Sequence, residues 1–474
     1  MEKDKSLGKS TINKLFTITL CNLLIIFIWI HDSHAGSNPL RVGIVGDQTG
    51  TYYKNGKPDM EMAYTALKKG VDILSKQNVQ LILHIGDIVE SSEESDSVYA
   101  QNFKKATKTL VESQRPWFLT PGDHDVNPKC YQPGSGDHSR ETLFKNLYAE
   151  RLPQIKEHLY YSFDYGDYHF IALYSHENLH VDPRWGNIFM ARISDEQLKW
   201  LDNDLKNHRE SKGIVVFLHQ PLWYNWSGWK KVHDILRRHE VIAVIAGHFH
   251  YNQDEGNLDG IKYIIVGPTG GTRNEASSDA IKAWQVTVMD INDKQLNFKL
   301  ISLDDSKPLH FTPRIDMDRI QAITTMLGYA STKKEIFMEN NNLITKCDTN
   351  EPATINLALG NPIDLPIEIN IKLIGKNLEL SSATFVPKFC QTGTNSIKCV
   401  IPPGKGVASS NLSDVQLTFN CAVPKPIWTA HPVITGEVRP GDELKLNIRL
   451  SFKGQSGWLS VERDFITTIQ SCNK

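Results

Sequence analysis

The chain has 474 residues, of which 52 are Lys or Arg and 54 Asp or Glu, for a formal net charge of −2. With 40% hydrophobic and 22% charged residues it has an ordinary globular composition, and its length exceeds one ordinary core, so two domains are expected. Without a long block of Lys and Arg a nucleic-acid track is excluded, and a small phosphorylated substrate would be held by local charges or metals.

At the amino terminus Lys3, Lys5, Lys9 and Lys14 precede the apolar run Leu15 to Ile30 and the ending Ser33-His34-Ala35-Gly36. A basic segment, an apolar core and a small-x-small ending predict a signal peptide over residues 1–35, cleaved after Ala35. Secretion into a periplasmic or extracellular space follows, with a membrane partner expected only if the segment stays uncleaved, since 16 apolar residues are short for a span. Cys21 follows Leu20 rather than a small residue, which argues against a lipid anchor. Beyond it stand Cys130, Cys347, Cys390, Cys399, Cys421 and Cys472. Their crowding toward the end of an exported chain points to disulfides, with 15 possible pairings, of which Cys390 with Cys399 would close a short hairpin.

Leu40 to Gly46 reads as a strand leading straight into Asp47. Met60, Ala63, Leu67, Val71 and Leu74 recur at helical spacing, and Val79 to Ile85 is a strand ending in Gly86-Asp87. A helix over 98–111 precedes the short strand Trp117 to Leu119, which runs into Gly122-Asp123-His124-Asp125. Three times a strand ends in Gly-Asp, where an open α/β sheet presents its carboxyl edge. A helix near 140–148 and strands near 160–163 and 168–174 follow. Ser194 and Gln197 form a capping box before Leu198, Leu201 and Leu205. The strand Ile214 to Leu218 leads to His219-Gln220-Pro221, and a helix over 229–239 leads to the strand Val241 to Ala246 and Gly247-His248-Phe249-His250. Strands follow at 261–266, 284–289 and 297–302.

Residues 305–342 read as a linker with one candidate helix near 315–327. Residues 343–474 then change character: strands at 354–359, 367–373, 415–419 and 444–452 are separated by turn signals, as in an all-β sandwich.

Asp47, Asp87, Asp123, His219, His248 and His250 all stand just after strand-like runs. Gathered on one sheet edge they could hold two cations, with a shared carboxylate spacing them as in two-metal hydrolases. Taken singly, each is an ordinary cap, turn or core polar group. In this order, with His124, the blocks Gly46-Asp47-Gln48-Thr49-Gly50, Gly86-Asp87, Gly122-Asp123-His124-Asp125, His219-Gln220-Pro221 and Gly247-His248-Phe249-His250 resemble the calcineurin-like metallophosphoesterase family, over residues 40–304.

The resemblance implies a four-layer α/β/β/α domain and a dinuclear centre of divalent or mixed-valence ions such as Mn, Fe, Zn or Mg. Asp47 and His250 would bind the first metal, Asp87 would bridge, and Asp123, His219 and His248 would bind the second. His124 would contact the phosphate and stabilise or protonate the leaving oxygen. The implied activity is hydrolysis of phosphate monoesters or small diesters by a metal-bridging hydroxide.

Two positions depart from the family pattern. Thr49 stands where the first block usually carries a histidine, which purple acid phosphatases also lack, so either Glu90 or Gln48 offers the first metal an oxygen, or Glu90 is solvated and water stands at the metal. Asp123 stands where asparagine is usual, which would tighten the second cation and blunt its Lewis acidity. Trp223, Tyr224, Trp226 and Trp229 either wall a leaving-group pocket or cover a core edge. His176 and His180 could lean over the site from their loop, while His84 reads as a strand residue. The competing reading is a catalytically weak or inactive protein that binds through its β domain, whose partner the sequence does not identify.

Overall fold

The computed structural model describes residues 39–332 apart from breaks at 50–52, 55–56, 59, 91–94, 128–137, 178–179, 182–188, 225, 273–282 and 305–307. Beyond them it describes 353–354, 357–359, 361–374, 379–381, 390–393, 396–401, 403, 428–430, 433–435 and 443–468. The expected signal peptide and the expected strand at 415–419 lie outside the described residues.

The first sheet takes its strands in the order β11-β10-β1-β2-β3: β1 Leu40–Val45, β2 Leu81–His84, β3 Trp117–Leu119, β10 Gln285–Asn292 and β11 Gln295–Ser302. β1, β2 and β3 run parallel, and β10 and β11 close the sheet antiparallel. Helices α1 (Met60–Lys76) and α2 (Asp96–Glu112) connect the parallel strands. Leu67, Val71 and Leu74 of α1 and Tyr99, Phe103 and Leu110 of α2 are buried, one stripe of each helix. Ser95 caps α2 by accepting from Val98 N. Helix α3 (Ser139–Ala149) adds Phe144 and Tyr148 to the same core.

The second sheet contains β4 (Tyr161–Tyr165), β5 (Tyr168–Ala172), β6 (Gly213–Phe217), β7 (Val241–Ala246), β8 (Gln253–Leu258), β9 (Ile261–Ile265) and β12 (Thr312–Pro313), in the order β12-β8-β9-β7-β6-β5-β4. Its parallel strands β5, β6, β7 and β9 are buried on both faces, which is why they read as unbroken apolar runs. Alternation sends their side chains to two cores. Val215, Phe217, Ala243 and Ile245 join the core shared with the first sheet, while Ile214, Val216, Leu218 and Val244 pack with Leu198, Leu201 and Leu205 of α4 (Asp195–Asn207) and Val232 and Leu236 of α5 (Trp229–Leu236). Helix, sheet, sheet and helix therefore stack in four layers. Ser194 caps α4 as expected, but Gln197 does not complete the box. Its amide bonds Tyr174 N and O instead, and Glu177 takes the Ser194 N–H.

Helix α6 (Arg314–Thr332) follows β12, and beyond it an antiparallel sheet runs β14-β15-β13-β16-β17: β13 Ile367–Ile374, β14 Cys390–Gly393, β15 Ser396–Ile401, β16 Glu443–Gly454 and β17 Gly457–Thr468. One face, with Ile369, Ile371, Ile448, Leu450 and Val461, is buried. Cys399 is disulfide-bonded, and the β14–β15 register sets Cys390 directly opposite it. α6 is held on both sides. Arg314 pairs with the buried Glu255 of β8 and lies over the Tyr224 ring, while Gln321 donates to Tyr251 Oη. Facing the other way, Asp316 Oδ2 accepts the backbone N–H groups of Gln455 and Ser456 at the β16–β17 turn, and Arg319 bridges Asp316 and Asp364.

Asp316 is fully buried and serves three donors. Asp316→Ala is expected to destabilise the chain by about 3–5 kcal/mol, because it leaves a buried guanidinium and two N–H groups short of an acceptor. Asp316→Asn should recover part of this, and loss of the exposed Glu462 side chain should change little; thermal melts of the three variants check it.

Candidate metal centre

Strands from both sheets end at one place. β1 is followed by Asp47, β2 by Asp87, β3 by Asp123, β6 by His219, and β7 by His248 and His250. The backbone turns back abruptly here, with φ of 53° at Asp47, 58° at Asp87, 70° at His248 and 57° at His250. A left-handed conformation costs a non-glycine residue roughly 1–3 kcal/mol, and such strain persists only where surrounding bonds enforce it. Those bonds are present: Asp47 N donates to Gly86 O, Gln48 N to Asp87 O and Gly271 N to Asp47 O. Glycine is required beside the carboxylates. A Cβ on Gly122 would lie 2.1 Å from Asp87 Oδ1, and one on Gly86, itself at φ 98°, would lie 2.7 Å from His219 Nδ1.

Asp123 Oδ1, His219 Nε2 and His248 Nδ1 form a triangle with edges of 3.1, 3.1 and 3.2 Å. Ligands on a cation about 2.1 Å away would have edges of roughly 3.3 Å. His219 Nδ1–H donates to Ile85 O at 2.8 Å, which leaves the Nε2 lone pair facing the carboxylates. Two imidazole nitrogens at 3.2 Å need a proton or a cation between them. Burial pushes the His219 pKa down, but Asp87, Asp123 and Asp47 more than reverse it and hold it well above the ordinary histidine value.

Asp47, Asp87 and His219 form a second group whose ligand atoms lie within 4.8 Å of one another. Asp47 Oδ1 accepts from His248 N at 3.0 Å, while Oδ2 is buried without a partner. An orphaned carboxylate oxygen at a buried site suits a cation. Burial raises the Asp47 pKa against the pull of His250 and His219. His250 belongs to neither three-ligand group. Its Nδ1–H donates to Thr272 O at 2.6 Å, so its Nε2 carries the free lone pair.

Glu90, expected to offer the first metal an oxygen, places Oε2 2.6 Å from His124 Nδ1, where it orients that ring. Gln48 is buried, with its amide nitrogen on Gly46 O and its carbonyl oxygen without a partner. Thr49, in place of the family histidine, donates to Asp87 Oδ2 at 3.1 Å.

Around this shell stand residues the sequence only placed nearby. Asp125 accepts from Asp87 N, Gly122 N and Val89 N, fixing the bridging loop; burial and Asp87 push its pKa up to about 8. Asp87 Oδ1 accepts from His124 N. Burial lowers the His124 pKa, but Asp87 and Glu90 carry it well above the usual value. His176 does lean in, with its ring 5.7 Å from that of His219 and Nε2 3.9 Å from Asp123 Oδ1; burial depresses its pKa to about 3. The side chain of His180 is outside the described residues. Trp223 and Trp229 are core, packed on Tyr263, whereas Tyr224 meets Phe249 edge to face at 5.1 Å beside the histidine turn. His84 is buried and accepts from Gly86 N, as a strand residue.

Away from the centre, His169 is bracketed by Asp164 on Nδ1 at 2.7 Å and Asp204 on Nε2 at 2.8 Å, and His208 stacks on it at 3.6 Å and 13°. Rings stacked that closely cannot both direct an in-plane lone pair at one ion. The two carboxylates favour the protonated form of the His169 ring.

The carboxylates and imidazoles meeting at the carboxyl ends of two facing sheets define a metallophosphoesterase-class domain. Residues 32–252 match the model of the calcineurin-like phosphoesterases. Purple acid phosphatase 21 of Arabidopsis thaliana is 24% identical over 57% of this chain and 62% of its own length, and purple acid phosphatase 22 is 26% identical over 37% and 39%. The chain thus spans about three-fifths or less of the length of these relatives. A dimetal phosphatase from Danio rerio superposes over 56% of this chain and 97% of its own, at TM-score 0.43 and 15% identity.

Glu90→Gln is expected to keep metal at both positions. It should move the alkaline limb of any activity to lower pH, since weakening the hold on the His124 proton lowers that pKa, and should reduce kcat about 10- to 100-fold. Metal analysis with a pH–rate profile checks this; loss of a metal would return Glu90 to the ligands. At the second cluster, burial lowers the His169 pKa but Asp204 and Asp164 raise it overall, so their stabilisation is full below the unfolded value and fades as pH rises through the folded one. Asp204→Asn should therefore lower the melting temperature more at pH 5.5 than at pH 9.

Proposed function

We propose that this protein is a metal-dependent phosphoesterase acting on phosphate monoesters or small diesters. The observation that carries this is the Asp123–His219–His248 triangle, whose spacing suits a cation and in which the Ile85 carbonyl sets the His219 tautomer. Asp47, Asp87 and His250 would hold a first divalent ion, with Gln48 as the remaining candidate oxygen, and Asp123, His219 and His248 a second. Bound there, the two ions would lower the pKa of water and neutralise the phosphoryl oxygens.

The residues then divide the work. Asp87, held by Asp125 through the backbone and by Thr49 through Oδ2, keeps the two positions at a set spacing. His124, protonated and braced by Glu90, delivers its proton to the leaving oxygen. No protein nucleophile is required. Phe249 and Tyr224 beside the histidine turn offer an apolar flank for the leaving group.

The same reading takes residues 1–35 as a signal peptide, 40–304 as the catalytic domain, 343–474 as a β domain stiffened by a Cys390–Cys399 disulfide, and the protein as exported. A phosphorylated small molecule, not nucleic acid, is the proposed substrate, given the near-zero net charge. One observation favours the second reading, a weakly active binding protein: Thr49 turns to Asp87 and leaves the first metal a ligand short.

Purified protein with Mn²⁺ is expected to hydrolyse a chromogenic phosphate ester, and His250→Ala to lose at least 100-fold in kcat/KM with loss of one metal per chain. Absence of turnover with any divalent ion or Fe³⁺, at full metal occupancy, would leave the binding reading.

A further inference from the structure

We propose that the Gln220 side-chain amide donates a hydrogen bond to the phosphoryl group and that His176 locks the amide in the orientation this needs. The proposal rests on the phosphoesterase reading and adds to it a binding residue and a positioning residue. Gln220 directly follows His219, and it is only 5% exposed. Its backbone N–H donates to Ser175 Oγ at 3.2 Å, Ser175 Oγ lies 3.0 Å from His176 Nδ1, and His176 Nε2 lies 2.9 Å from Gln220 Oε1. These four groups close a ring.

The ring assigns its own protons. Ser175 is fully buried, and Gln220 N already donates to its oxygen, so His176 Nδ1 is the acceptor left for its hydroxyl hydrogen. With Nδ1 accepting, neutral His176 carries its proton on Nε2, beside Asp123 Oδ1 at 3.9 Å. Nε2–H then donates to Gln220, and the atom receiving it must be the amide oxygen. The opposite end of the amide is consequently NH₂, which has no hydrogen-bond partner among the described residues and is absent from the buried unpaired atoms. A partly accessible donor thus stands one residue from a candidate ligand of the second metal. Phosphoryl oxygens, anionic and acceptor-only, are the chemistry that such a donor recognises. An amide free to rotate would offer its oxygen half the time and repel them.

The experiment is titration of the Mn²⁺-loaded full-length protein with inorganic phosphate by calorimetry, with metal content measured on each variant. Gln220→Leu should weaken phosphate binding roughly tenfold at unchanged metal content. Gln220→Glu keeps the bond to His176 but presents an anion, and should weaken binding further. His176→Ala should reproduce part of the Gln220→Leu loss and add nothing in the Gln220→Leu background, a non-additivity that general loosening of the site would not produce. Phosphate affinity of Gln220→Leu within twofold of wild type overturns the assignment, as does loss of metal in that variant. Fully additive losses overturn the role of His176. Wild type that holds two metals yet binds no phosphate and hydrolyses no ester ends this proposal and the functional reading together.

Discussion

Three buried carboxylates, Asp47, Asp87 and Asp123, are brought within reach of one imidazole, His219, and the rest of the two-sheet domain is arranged around the cost of doing so. Like charges in a poorly solvated pocket repel strongly, and each also loses its hydration. The pocket is tolerable only with positive charge inside it. The carboxylates favour the protonated form of His219, and divalent ions would supply positive charge with better geometry. Two facing sheets are needed because no single strand edge could deliver carboxylates from one side and imidazoles from the other into so small a volume.

Holding such a pocket open takes more than its ligands. Four of the six candidate ligands have another polar atom occupied by the scaffold: His219 by Ile85 O, His250 by Thr272 O, Asp47 by His248 N, and Asp87 by His124 N and Thr49. Asp125 acts one step further out, since its carboxylate gathers three N–H groups from the loops carrying Asp87 and Asp123. Left-handed turns at four of the ligand residues are the strained consequence, and this lattice of bonds enforces them. Ser175, His176 and Gln220 extend the same logic around the second position.

The helix between the two sheet systems is docked on both. Arg314 reaches a buried carboxylate behind the aromatic residues beside the histidine turn, and two residues later Asp316 takes the tip of the β16–β17 hairpin. Burial of Asp316 and Glu255 makes both contacts stringent, because neither carboxylate has water to fall back on.

Much of this was readable from the residues in order. Unbroken apolar runs identified the doubly buried parallel strands, helical spacing identified α1, α2 and α4, and Gly-Asp or histidine blocks at strand ends marked the ligands, because such patterns are local. β8 was not visible, since Gln253 to Leu258 is polar and its strand character comes from backbone pairing with β9. β17 was missed likewise, although it pairs with β16 along its whole length. The roles of Glu90, Thr49, His176 and Gln220 were also beyond the sequence. Each depends on which atom of a side chain meets a partner 34 to 45 positions away, and that is decided only when the strands have registered and the loops have closed. Sequence by itself determined which groups could bind a metal; the tertiary structure decided which nitrogen His219 and His250 would offer, because a backbone carbonyl had already claimed the other.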